Sequence, residues 1–185
     1  FYPYFEAPEI TPPENFWQFQ VSVSCPTSDA DAFILGTNPI ATDGYDFYLD
    51  LPAAPAKPFP SLCAYLSRET PEDIGFTDKK LSCEFRKALS STVDQEKIWH
   101  FKFTCNTVDP IEFDLSDINL PNDYTIRIFL GENIYTYRQL THFTYVPAEP
   151  GTYEGLIKVT NYPVSVTDLI QKPVSALAVY PNPFN

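Results

Sequence analysis

The residues best suited to chemistry in this chain are the acidic ones of Ala41-Thr42-Asp43-Gly44-Tyr45-Asp46, a segment followed closely by Asp50. Asp43, Asp46 and Asp50 set three hard oxygen donors near one another, and Gly44 can take the backbone angles of a tight turn, a combination compatible with a calcium ion. Their spacing is not that of an EF-hand, which needs ligands at alternate early positions and a glutamate at the end of the loop. A turn whose carboxylates are solvated, or cap loop amides, is the competing reading of the same residues. Asp29 and Asp31 would join a metal site only if folding brings their loop alongside. Tyr45, Phe47 and Tyr48 sit beside these acids, and Tyr135 and Tyr137 lie in a later strand-like run. Such rings either stack on a sugar or a partner surface, or fill a core.

Other site chemistries find less support. Cys25, Cys63, Cys83 and Cys105 have no C-x-x-C spacing and no histidine at metal-finger distance, so a structural zinc site is not expected. An even number of cysteines in an exported β protein favours disulfides, with buried free thiols as the alternative. Cys25 and Cys105 each end an alternating strand on the same face as that strand's tryptophan, which makes Cys25–Cys105 the expected bridge and leaves Cys63–Cys83. No G-x-S-x-G motif or phosphate-cradling glycine loop occurs, and no carboxylate pair is singled out for glycoside hydrolysis. His100 and His142 fall in strand-like segments, where a surface or hydrogen-bonded role is the ordinary one. The chain is therefore not expected to be an enzyme, and a site grafted on the fold without a motif is the alternative.

The elements that must position these residues are strands. Trp17, Phe19, Val21 and Val23 alternate with Gln18, Gln20, Ser22 and Ser24, the period-two pattern of a strand with one dry and one wet face. Trp99, Phe101, Phe103 and Cys105 alternate in the same way with His100, Lys102 and Thr104. Further strands are predicted at 61–68, 80–87, 111–115, 124–130, 134–137, 141–146 and 152–160, separated by Pro, Gly, Asn and Asp. Residues 26–31 read as a turn and the stretch through Pro60 as mostly irregular, a long loop of the kind that carries function. Glu69 to Ile74 is the one helical candidate, and it is short.

Composition agrees with an all-β chain and narrows its partners. The 185 residues suit one well-buried domain, and the 15 Phe and 12 Tyr supply apolar surface to fold it without a metal. The 19 Pro against 6 Gly favour short strands and stiff connections over helices. A net charge of -12 repels phosphate backbones, which argues against a nucleic acid partner. No apolar run is long enough for a membrane-spanning helix. Phe1-Tyr2-Pro3-Tyr4-Phe5 opens the chain without a basic or apolar leader, and a processed N-terminus is expected.

The last residues, Tyr180-Pro181-Asn182-Pro183-Phe184-Asn185 led in by Leu177-Ala178-Val179, resemble the opening of the C-terminal sorting domains of bacterial proteins exported by type IX secretion. The 41–46 segment with Asp50, together with Phe113-x-Leu115 and Asn119-Leu120-Pro121, is similar to a recurrent element of extracellular modules found upstream of such domains. The resemblance implies export and a modular role, and it brings no biochemical activity with it.

The expected architecture is an antiparallel, Ig-like β-sandwich of roughly seven to nine strands. It is laid out as an extended arm over 1–15, a sandwich over 16–161 with Trp17 and Trp99 in its core, and a linker and sorting-type motif over 162–185. The expected function is a secreted structural or adhesive module at an extracellular or cell-surface assembly, bound to neighbouring subunits or domains or to copies of itself. A glycan-binding module of a secreted multidomain enzyme is the alternative, with calcium the one cofactor considered. In the arm, Phe1, Tyr2, Tyr4 and Phe5 are expected to lie on, or complete, a sheet of a neighbouring copy or domain.

Overall fold

Strict alternation of apolar and polar side chains is what a strand needs to face a core on one side and water on the other, and the chain is built almost entirely from it. A computed structural model describes residues 16–55, 62–68, 80–89, 96–116, 118–121, 123–136 and 141–161. The aromatic arm with Phe1, Tyr2, Tyr4 and Phe5, the helical candidate at 69–74, Tyr137 and the sorting-type motif lie outside the described residues.

The strands in chain order are β1 (Trp17–Cys25), β2 (Ser28–Thr37), β3 (Leu51–Pro52), β4 (Cys63–Ser67), β5 (Lys80–Arg86), β6 (Glu96–Cys105), β7 (Ile111–Ser116), β8 (Thr125–Leu130), β9 (Asn133–Thr136), β10 (His142–Tyr145) and β11 (Gly151–Thr160). The described residues contain no helix.

The expected pair of stacked antiparallel sheets is replaced by a single mixed sheet of 11 strands in the order β10-β7-β1-β2-β5-β4-β6-β11-β8-β9, with β3 paired to β5 beside this path. The β2–β5 pair is parallel, and the other pairs are antiparallel. The sheet rolls until its two end strands nearly meet. Tyr135 of β9 stacks on Phe143 of β10 at 3.9 Å between ring centroids, and its hydroxyl donates to the Thr144 carbonyl at 3.4 Å. Alternation reports which face of a strand is dry and says nothing about which strands are hydrogen-bonded, so it fits a rolled sheet as well as two stacked ones.

A barrel wider than about eight strands encloses more space than aliphatic side chains readily fill. Here the interior is packed with rings. Trp17, Phe19, Phe33, Trp99, Phe101, Phe103 and Phe113 are all fully buried. Trp17 meets Trp99 edge-on at 5.7 Å, and Phe101 and Phe103 both meet Phe113 edge-on. Gly155 of β11 lies opposite Phe101, and a Cβ there would stand 2.4 Å from that ring, so the bare backbone makes room for it. The outer face carries Gln18, Gln20, Ser22, His100, Lys102 and Thr104, the reverse of a lipid-facing barrel with its apolar exterior.

β2 departs from the sequence reading, which placed a turn and irregular chain here. Only Pro26 and Thr27 make the turn, since Cys25 already pairs with Ser28. The polar start of β2 serves the wall: Ser28 Oγ accepts from the Leu62 N–H at 3.2 Å and Asp31 Oδ2 from the Ala64 N–H at 2.9 Å. Turn-forming residue types thus act as surrogate ladder partners for β4.

The cysteines also differ from expectation: all four are free thiols, and neither Cys25–Cys105 nor Cys63–Cys83 is bridged. Cys25 and Cys105 do belong to one buried cluster. A register irregularity between Val23 and Cys25 comes just before the hairpin, where the Cys25 sulfur lies 3.2 Å from the Ser28 hydroxyl and 3.7 Å from that of Thr27. Burial acts to raise the Cys25 thiol, but these hydrogen bonds outweigh it and hold the pKa below the usual range. Cys83 packs in a second small cluster with Ala41 and Phe85, whereas Cys63 belongs to neither cluster. Burial, with the charges of Asp50 and Glu84, pushes the Cys83 thiol up to about 12.

Candidate functional site

The segment between β2 and β3 folds as a tied loop. Asn38 opens it, donating its N–H to the Arg86 carbonyl at 3.0 Å and accepting from the Ala41 N–H through its own carbonyl and from the Ile40 N–H through its side chain. Thr42 then gives its N–H to Asp46 Oδ2 at 2.7 Å and its hydroxyl to the same carboxylate at 3.1 Å, while Gly44 donates to the Thr42 hydroxyl. The Asp46 carbonyl accepts from the N–H groups of Leu49 and Asp50, both at 2.8 Å, closing a turn with Phe47 and Tyr48 at its tip.

Asp50 ties this turn to the wall. Its Oδ2 accepts from the Asp46 N–H and its Oδ1 from the Phe85 N–H of β5, each at 2.8 Å. The Thr42 carbonyl accepts from Lys87 N–H at 3.0 Å, so the loop gives the end of β5 partners of the kind a neighbouring strand would offer.

Beneath the loop lies a cluster of buried charges. The side chains of Asp50 and Glu84 have 0% exposure and that of Arg68 4%. Arg68 Nη1 stands 3.9 Å from both carboxylates, and its Nη2 donates to the Asp43 carbonyl at 2.6 Å. Arg86 Nε donates to Glu84 Oε1 at 2.8 Å, and the Arg86 guanidinium lies 5.2 Å from the centre of the Trp99 ring. Two carboxylates and two guanidinium groups cancel formally, which is the condition under which such charges are tolerated inside. Burial raises the Asp50 carboxyl to about 6, with the charges of Glu84 and Asp46 adding to it against the two backbone hydrogen bonds.

Glu84 reaches the interior because β5 is bulged. Leu51 pairs with Cys83 but Pro52 with Leu81, which leaves an extra residue on β5. Leu81 packs in the main core, Cys83 and Phe85 in the second cluster, and Glu84 pairs with the core residue Leu35. Regular alternation from Leu81 would put Glu84 on the wet face, and the bulge, which leaves no local signal in the sequence, turns it inward. Arg68, Glu84, Arg86 and Lys97 were accordingly absent from the predicted site.

The three predicted metal ligands do not converge. Asp46 is occupied by Thr42, Asp50 by two backbone amides, and Asp43 forms an ion pair with Lys97. Among the described residues no group of three or more His, Cys, Asp or Glu side chains is placed to hold a metal ion. Calcium requires six to eight oxygens, and these carboxylates are spent on amides and cations instead. The amide-capping reading describes this loop.

The aromatic trio also divides. Tyr45 turns inward against the main core, where burial and the Asp50 charge raise its pKa. Phe47 and Tyr48 turn outward, 71% and 92% exposed, with ring centroids 5.3 Å apart and planes at 81°. Ile40 at 78% and Leu51 at 56% extend the exposed apolar surface of the loop and its flanking strand. Elsewhere, His142 on β10 lies 2.7 Å from both Glu112 and Asp114 of β7. The hydrogen bond to Asp114, aided by both carboxylate charges, raises its pKa. These groups form an exposed cross-strand clasp.

No protein-family model, curated protein or solved structure matches the chain.

Proposed function

We propose that this chain is a structural or adhesive module of an extracellular protein assembly, and that it contacts a neighbouring subunit or domain through the tip of the 38–50 loop. The observation that carries the reading is the exposure of Phe47, Tyr48, Ile40 and Leu51 on a loop whose backbone is fixed by Asp46 and Asp50. Large exposed apolar side chains held on a rigid support have a low entropic cost of binding, and patches of this kind mark interaction surfaces. Export is supported by the acidic composition and by the resemblance of residues 180–185 to a sorting motif. The module acts by contact and carries no catalytic activity of its own.

The geometry of the rings favours a protein partner over a glycan. Sugar platforms present ring faces side by side, whereas Phe47 and Tyr48 meet edge to face. A photo-crosslinking phenylalanine analogue at position 47, irradiated in the producing cells, is expected to yield a discrete protein adduct that the same analogue at Glu132 does not give. Absence of that adduct, with soluble oligosaccharides shifting the Phe47 and Tyr48 resonances, would overturn the reading in favour of glycan binding.

A further inference from the structure

Asp50 joins the contact surface to the buried charges. Phe47 and Tyr48 occupy the turn between Asp46 and Asp50, and the Asp50 carboxylate alone holds both the Asp46 N–H on the loop and the Phe85 N–H on β5. Among the described residues, charged and titratable groups face it from each neighbouring element. Arg68 faces it at 3.9 Å from the end of β4, Glu84 and Cys83 face it from β5, and Asp46 and Tyr45 from the loop itself. Arg86 is engaged by Glu84, and Lys97 by Asp43.

We infer that Asp50 is a proton-sensitive latch on the loop: ionised, it holds the Phe47–Tyr48 tip against β5, and protonated, it releases one of its two backbone ties. The reason is the loss of acceptor strength. Both carboxylate oxygens accept an N–H, and a protonated oxygen accepts far more weakly than an ionised one, so the proton loosens the tie to Asp46 or to Phe85. Glu84 lies across Arg68 from Asp50 with a spare acceptor, since its Oε2 is buried and has no hydrogen-bond partner among the described residues while Oε1 takes Arg86 and lies by Arg68. Burial favours the neutral form and brings the event into mildly acidic conditions, the carboxyl being pushed up to about 6. The latch rests on the reading of this loop as the contact surface and regulates that surface: acidification changes its order while the aromatic barrel stays folded.

The test needs no partner, so it fails or succeeds independently of the crosslinking experiment. In proton–nitrogen correlation spectra of the full chain from about pH 8 to about pH 4.5, the Asp46 and Phe85 amides are expected to move together with a common midpoint near 6, and the Phe47 and Tyr48 signals to broaden on the acid side. Asp50→Asn should abolish this transition. Glu84→Gln, which removes a charge that raises the Asp50 carboxyl, should shift the midpoint to lower pH and carries the test if the asparagine variant does not fold. Amides that stay fixed until ordinary carboxylates titrate, or a transition that survives Asp50→Asn or is unmoved in Glu84→Gln, would overturn the latch.

Discussion

The aromatic interior and the charged corner under the 38–50 loop lie side by side yet are held by different physics. The interior is made of rings such as Trp99, Phe101 and Phe113 packed by shape, and its stability comes from apolar burial that pH and salt scarcely touch. The corner is made of Asp50, Glu84, Arg68 and Arg86, whose favourable contacts offset a large desolvation cost. The interior sets whether the chain folds, and the corner sets how one loop is presented. The two meet where the Arg86 guanidinium lies over Trp99.

Removing a wall of the interior is the most severe way to test this division. Trp99→Ala should cost about 3–5 kcal/mol in urea unfolding, by about the same amount at neutral and mildly acidic pH. Arg68→Ala should cost about 3–4 kcal/mol at neutral pH, because it leaves Asp50 and Glu84 buried without their shared cation. That penalty should shrink on acidification as the Asp50 carboxyl takes up its proton. A loss as flat with pH as that of Trp99→Ala would break the comparison.

Asp50 sharpens it further. The folded carboxyl, at about 6, lies above its ordinary value of 3.8, so the folded state holds the proton through a pH range where the unfolded chain has lost it. Its contribution to stability is therefore full below the lower value and lost as pH rises through the upper one. Calorimetry of wild type against Asp50→Asn should show the difference moving in favour of wild type by up to about 3 kcal/mol from about pH 7.5 to about pH 4. The Asp50 contribution to stability then rises over the same interval in which the loop loses a tie.

Gly36→Ala probes backbone approach in the wall. A Cβ there would stand 2.2 Å from the Trp17 carbonyl oxygen, so β1 and β2 must separate, at about 1–3 kcal/mol in chemical denaturation. The smallest effect on stability is expected at the loop tip. The double change Phe47→Ser and Tyr48→Ser should leave unfolding within about 0.5 kcal/mol of wild type, since these rings are exposed, while removing partner binding to the chain. A substantial loss of stability would show that the rings serve the fold.

Much of this was legible in the residues themselves. The alternation of β1 and β6 gave strand type, dry face and the burial of Trp17 and Trp99, because period two follows directly from backbone geometry. The 41–50 segment stood out by composition, and the amide-capping alternative read from Asp46 and Asp50 describes their contacts. Hairpin partners such as β1 with β2 were hidden because Ser28, Asp29 and Asp31 are ordinary turn residues, and only the neighbouring amides of β4 explain them within a strand.

By itself the sequence determined an all-β chain with an aromatic core, since side-chain period and ring content are local properties. Tertiary structure alone decided that the strands roll into one mixed sheet, because pairing joins segments distant in sequence, as Ile34 with Cys83. It decided the fate of the thiols too, since the hairpin hydroxyls of Ser28 and Thr27 engage Cys25. The buried corner was likewise a tertiary outcome. A bulge on β5 turned Glu84 inward to Arg68 and Arg86, and that placement set Asp50 beneath a loop whose two exposed rings the sequence had grouped with a third, Tyr45, that the core absorbed.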